Sequence, residues 1–177
     1  MVDLREEVEK DRGLIKKIEL AIPGFRGYRK REDLRIADRL LREQLALKLK
    51  NAGTELEGAR RAMSRRQMID FMEDVGRLIG LTNAAEARVR HAEQGYTGVS
   101  PDYRIEESEL NRMYEWDLHL LARVSEMADG GERILAAAEA SDSREITRQM
   151  ASFDGAITDF GQVFDKRREA IAGLGVA

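Results

Sequence analysis

Cysteine is absent from the 177 residues, which excludes a disulfide-stapled scaffold and a thiolate zinc site. Proline occurs only twice, so little interrupts a helix, and no window approaches ~18 consecutive apolar residues, so no membrane span is expected. Histidine also occurs only twice, which leaves little for an imidazole metal site. The formal net charge of -3 lacks the basic excess of a general nucleic-acid binder, and no specific nucleic-acid partner is expected. Met1 to Lys10 is charged and has no apolar core of a secretory signal, so a cytoplasmic location is the expectation. What the chain has in quantity is charge. Charged residues make up 36% and hydrophobic ones 42%, against about 25% charged in an ordinary domain, which points to long helices with solvated outer faces around one core. A single helical domain over 1–177 is the natural reading.

The apolar spacing divides the chain into a short leading helix and four long ones. Leu14, Ile15, Ile18 and Ile22 share one face of the leading segment, residues 1–25, which Pro23 and Gly24 close. A second helix begins near Glu32 with a seam of Leu34, Ala37, Leu41, Leu45, Ala52, Leu56, Ala59 and Met63, interrupted where Lys48 falls. The phase resets around Ser64 to Arg66. A third helix then carries Met68, Phe71, Val75, Leu78, Thr82, Ala85, Val89 and Ala92, making a first hairpin over 32–93. Gly95, Gly98 and Pro101 mark a loop. The second hairpin, 107–173, pairs a seam of Leu110, Met113, Asp117, Leu120, Val124, Met127, Gly131, Ile134 and Ala138 with one of Ile146, Met150, Phe153, Ile157, Phe160, Phe164, Arg167 and Ile171. Asp129-Gly130-Gly131 is expected to kink or split the fourth helix, since an interior glycine costs about 1 kcal/mol against alanine. Ser141, Asp142 and Ser143 supply capping groups for the fifth. The fold class expected is an all-α, antiparallel up-down four-helix bundle with a short N-terminal helix.

In an antiparallel hairpin the numbers of facing residues sum to a constant. The second hairpin satisfies this from Ala138 with Ile146 to Met113 with Ile171, placing Gly131 against Phe153 and acidic Asp117 against basic Arg167. In the first hairpin Lys48 is expected opposite Thr82. Lys48, Thr82, Asp117 and Arg167 would then form one polar layer in an apolar core. Such a layer fixes helix register, or it forms an internal cavity where Lys48 and Arg167 hold a small anion.

Catalytic and cofactor motifs are not found. The inward Glu and Glu-x-x-His sets of a di-iron bundle are missing, and Glu115 and His119 are turned outward by the heptad phase. No phosphate loop, nucleophile elbow or dinucleotide fingerprint is present, so no cofactor and no catalytic residue is assigned and a non-enzymatic role is expected. Cations cluster at Arg26, Arg29, Lys30 and Arg31, and again at Arg60, Arg61, Arg65 and Arg66. The first cluster follows the apolar face of Leu14, Ile15, Ile18, Ile22 and Phe25. An apolar face with a basic flank suits a partner's groove, self-association or peripheral contact with an anionic membrane, and equally a helix that covers one end of the core.

Two stretches, Ile22-Pro-Gly-Phe-Arg-Gly-Tyr28 with Ala37-Asp-Arg-Leu-Leu-Arg-Glu43, and Gly95-Tyr-Thr-Gly98 with Glu107-Ser-Glu-Leu-Asn-Arg-Met-Tyr-Glu-Trp-Asp117, resemble an uncharacterised family of bacterial all-helical proteins with no known activity. Its members occur near membrane-organising proteins of the prohibitin type. The resemblance, from about residue 14 onward, implies a scaffold or membrane-adjacent role. At Asp129-Gly-Gly131 the chain departs from a family that tends to stay helical.

Overall fold

A computed structural model of the chain describes the backbone of residues 4–24, 31–92 and 107–173, and the side chains of 13–24, 36–92 and 111–170. The described residues are helical apart from helix ends and short turns. The order is α1 (Leu4–Ala21), α2 (Arg31–Arg65), a 3₁₀ turn (Ile69–Phe71), α3 (Met72–His91), α4 (Glu107–Ala140) and α5 (Ser143–Gly173). At 35, 34 and 31 residues, α2, α4 and α5 are the long rods that the charge-rich, proline-poor composition implies. Among the described residues no helix is long and apolar enough to cross a membrane.

The chain divides into two compact units. The first holds Met1–Gln44, Glu93–Leu121 and Val163–Ala177, with Ile18, Ile22, Ala37, Leu41, Met113, Leu120 and Phe164 buried in it. Leu45–Ala92 and Ala122–Gln162 make up the second, whose core includes Leu45, Leu56, Met63, Leu78, Met127, Ile134, Phe153 and Phe160. Every described seam position of α2, α4 and α5 is buried apart from the interrupting Lys48. Buried flanking residues such as Ala46, Leu49, Ala62, Leu121, Ala137 and Ala156 widen each seam into the broad stripe of a helix that touches more than one neighbour.

In the second unit α2 and α4 approach closely through glycine. A Cβ on Gly131 would lie 3.0 Å from Glu55 Cβ and 3.2 Å from the Ala52 carbonyl oxygen. The sequence pairs Gly131 with Phe153, and the atoms nearest a Cβ on Gly131 belong to α2. Gly130 meets α5, a Cβ there standing 3.3 Å from Phe153 Cδ2, and Gly131 serves the α2 contact. The expected split of α4 at Asp129-Gly130-Gly131 does not occur, and the helix runs unbroken to Ala140. Both glycines are buried, so packing on two sides holds them helical against their weak propensity. Ion pairs tie the outer edges of this unit: Arg77 Nη1 to Asp154 Oδ1 at 2.7 Å and Arg123 Nε to Asp159 Oδ2 at 3.1 Å.

The α2–α3 connection also differs from its sequence reading. Gln67 takes a left-handed conformation (φ 58°) as Met68 N–H donates to the Met63 carbonyl and Gln67 N–H to that of Ser64, a helix stop that usually carries glycine. The 3₁₀ turn then delays α3 to Met72. That shift moves the facing residues, so Lys48 does not oppose Thr82. The α2 residue against Thr82 is Gly53, whose Cβ would meet Thr82 Cγ2 at 3.7 Å.

The start of α5 follows its capping residues. The Glu145 N–H donates to Asp142 Oδ1 at 3.0 Å, and Ser141 (φ 57°) takes the left-handed position between the helices. Glu145 accepts from Arg148 Nη2 at 2.6 Å and from Gln149 Nε2 at 2.7 Å, and these bonds, Arg148 first, hold its pKa down to about 2 from 4.5. A depressed carboxylate pKa gives stability that is present above about pH 4.5 and is lost as the pH falls towards 2. Glu145→Gln is expected to flatten the acid limb of a thermal-melting series between pH 5 and pH 2, with its loss of stability largest at pH 7 and the two curves converging towards pH 2.

Candidate functional site

The polar residues buried in the first unit converge on one guanidinium. Arg167, on the last third of α5, donates from Nε to Asp117 Oδ1 of α4 at 2.5 Å and from Nη1 to Asp38 Oδ1 of α2 at 2.7 Å. Arg42, one turn after Asp38, donates from Nε to Asp38 Oδ2 at 2.8 Å. The side chains of Asp117, Arg167, Asp38 and Arg42 are 0%, 3%, 7% and 11% exposed. Charge alternates along the chain Asp117–Arg167–Asp38–Arg42 and sums to zero, so each ion removed from water is compensated by a direct partner. A guanidinium is a donor only and does not give up its proton in proteins. The network is therefore suited to fastening three helices and not to shuttling protons.

The register argument places Asp117 against Arg167, and the structure joins them. Asp38 and Arg42 were not expected there. The available signal was their spacing of four on one helix, with Asp38 on the flank of the seam, three residues before Leu41. The other two residues of the expected layer belong to the second unit. Thr82 is fully buried and satisfies its hydroxyl on its own helix, donating to the Leu78 carbonyl at 2.8 Å. Lys48 is half-buried.

The expected docking face of the leading helix is largely spent on the protein's own core. Ile18 and Ile22 are 0% and 2% exposed, and Leu14 and Ile15 are half-buried. This corrects the reading of those four residues as a free apolar face: burying them covers apolar surface that the first unit would otherwise leave wet. Phe25, Arg26, Arg29 and Lys30 lie outside the described residues, and Arg31 opens α2 with its side chain likewise outside them. Among the described residues of α1, Leu20 is 80% accessible, next to exposed Glu19 and one turn after exposed Lys16 and Lys17.

Glu115 is exposed as expected, whereas His119 and Leu118 are half-buried. Among the described residues no cluster of three or more His, Asp or Glu could hold a metal ion. Comparison with protein-family models, curated proteins and solved structures found no match to this chain.

Proposed function

We propose that this chain is a non-catalytic helical scaffold or adaptor, an up-down four-helix bundle with a leading helix, that binds a protein partner through the exposed face of α1. One observation carries the reading: Leu20 is 80% exposed next to Lys16 and Lys17, while Ile18 and Ile22 are buried and Leu14 and Ile15 half-buried. A large aliphatic side chain flanked by cations offers an apolar anchor with a basic rim, the pattern of a helix that contacts an acidic partner surface. A lipid surface is the weaker fit for these residues. Burying one leucine contributes about 1.5–3 kcal/mol and two lysines near anionic lipid about 1 kcal/mol each, short of stable anchoring.

The reading of Lys48, Thr82, Asp117 and Arg167 as an internal anion site loses support, because the Arg167 guanidinium already holds Asp117 and Asp38 directly.

Deleting residues 1–25 would remove Ile18 and Ile22 from the core, so point substitutions on the exposed face make the cleaner test. A photo-crosslinking residue at position 20, introduced in the native organism, is expected to trap a discrete protein adduct. Lys16→Glu, Lys17→Glu and Leu20→Glu combined are expected to reduce partner capture at least tenfold with an unchanged far-UV spectrum. Undiminished capture by the triple variant, or adducts to lipid alone with flotation on anionic vesicles, would overturn the reading.

A further inference from the structure

In the second unit α2 and α3 leave an open groove of about 610 Å³ between them. Its floor is lowered at Gly53, where a Cβ would come within 3.5 Å of Asn83 Oδ1. The acids along it are already engaged: Glu57 accepts from Arg60 at 2.8 Å, and Glu86 is paired with Arg90. Two cations are not. Lys50 and Arg61 both line the groove, both are exposed, and neither has a carboxylate partner among the described residues. Eleven residues is close to three whole helical turns, so the two project on one side of α2, about 16 Å apart along its axis. Leu47, 49% exposed and three residues before Lys50, extends the same stripe with an apolar side chain.

We propose that this groove is a docking site for an acidic peptide segment of a partner protein. The chain as a whole carries a net charge of -3, yet its unpaired charge in this groove is positive at both ends. Charge complementarity therefore selects a ligand with two carboxylates on one face and about 16 Å apart; an extended chain alternates its side chains at about 3.3 Å per residue, so the match is the even spacing of four positions, about 13 Å, with the Lys50 and Arg61 side chains spanning the rest. The residues between them face Gly53, Thr54 and Asn83, where small neutral side chains fit and the Asn83 amide offers a donor and an acceptor. Beyond the carboxylate that meets Lys50, an aliphatic residue would cover Leu47. The site uses no residue of α1, so its outcome is independent of the α1 reading.

The test uses the full chain and a fluorescein-labelled synthetic peptide carrying two glutamates four positions apart, a Gly/Ser/Asn spacer and a leucine two positions outside one glutamate. Anisotropy is expected to show saturable binding that weakens as salt rises. Lys50→Gln and Arg61→Gln are each expected to weaken it about fivefold, and charge reversal at both sites to abolish it. Gly53→Leu, which fills the floor, is expected to do the same. The glutamine variants alter exposed positions and keep the test readable if the leucine variant folds poorly. Equal binding of a peptide with adjacent glutamates, unchanged binding by the glutamine variants, no binding at millimolar peptide, or binding of anionic vesicles in preference to the peptide would each overturn the proposal.

Discussion

Replacing Arg167 with methionine should lower the unfolding free energy by about 3–5 kcal/mol, read by urea denaturation at pH 7. Removing the guanidinium takes a direct charged partner from Asp117, whose side chain is 0% exposed, and another from Asp38. A buried carboxylate that loses a charged partner costs more than the intact pair contributes, because its desolvation is less fully compensated. The double variant Asp117→Leu, Arg167→Met is therefore expected to recover much of the loss, since it removes both charges and leaves Asp38 with Arg42 at 2.8 Å. A loss under 1 kcal/mol for the single variant, or a double variant no more stable than the single, would show that the network is open to water and not a buried fastener. Arg42, at 11% exposure the most accessible member, should be the mildest to lose.

How far this architecture can be read from residues depends on how continuous the pattern is. The α4 and α5 seams run as regular heptads, so a constant sum of positions correctly pairs Asp117 with Arg167. Asp38 escaped that arithmetic because it lies off the α2 seam, and a long arginine side chain reaches it from another helix. The α2–α3 register failed for a different reason. Gln67 sits in a left-handed position that sequence rules assign to glycine or asparagine, and the Ile69–Phe71 turn adds residues that no Pro or Gly announces. Thr82 consequently meets Gly53 and not Lys48. For the leading helix, the spacing of Ile18 and Ile22 gave the apolar face correctly, but periodicity cannot say whether such a face covers the chain's own core or a partner. Only the burial of both side chains decides that, and it leaves Leu20, which belongs to no stripe, exposed.

The glycines divide by what surrounds them, and Gly131→Ala should separate the two effects. In an exposed helix interior alanine gains about 1 kcal/mol over glycine, so Gly80→Ala on α3, where nothing lies within 4 Å of the new methyl, should stabilise the protein. At Gly131 the same propensity gain meets Glu55 Cβ at 3.0 Å and the Ala52 carbonyl oxygen at 3.2 Å. Both atoms are fixed to the α2 backbone and have no rotamer by which to retreat, so α2 and α4 must move apart over the surrounding core. Overpacking of this kind costs about 1–3 kcal/mol, enough to reverse the sign, and Gly131→Leu should cost more. Paired denaturation curves for Gly80→Ala and Gly131→Ala against the parent chain measure the difference directly. If both substitutions stabilise equally, the close approach of α2 to α4 is not what keeps glycine at position 131, and the uninterrupted course of α4 through Asp129-Gly130-Gly131 needs another cause.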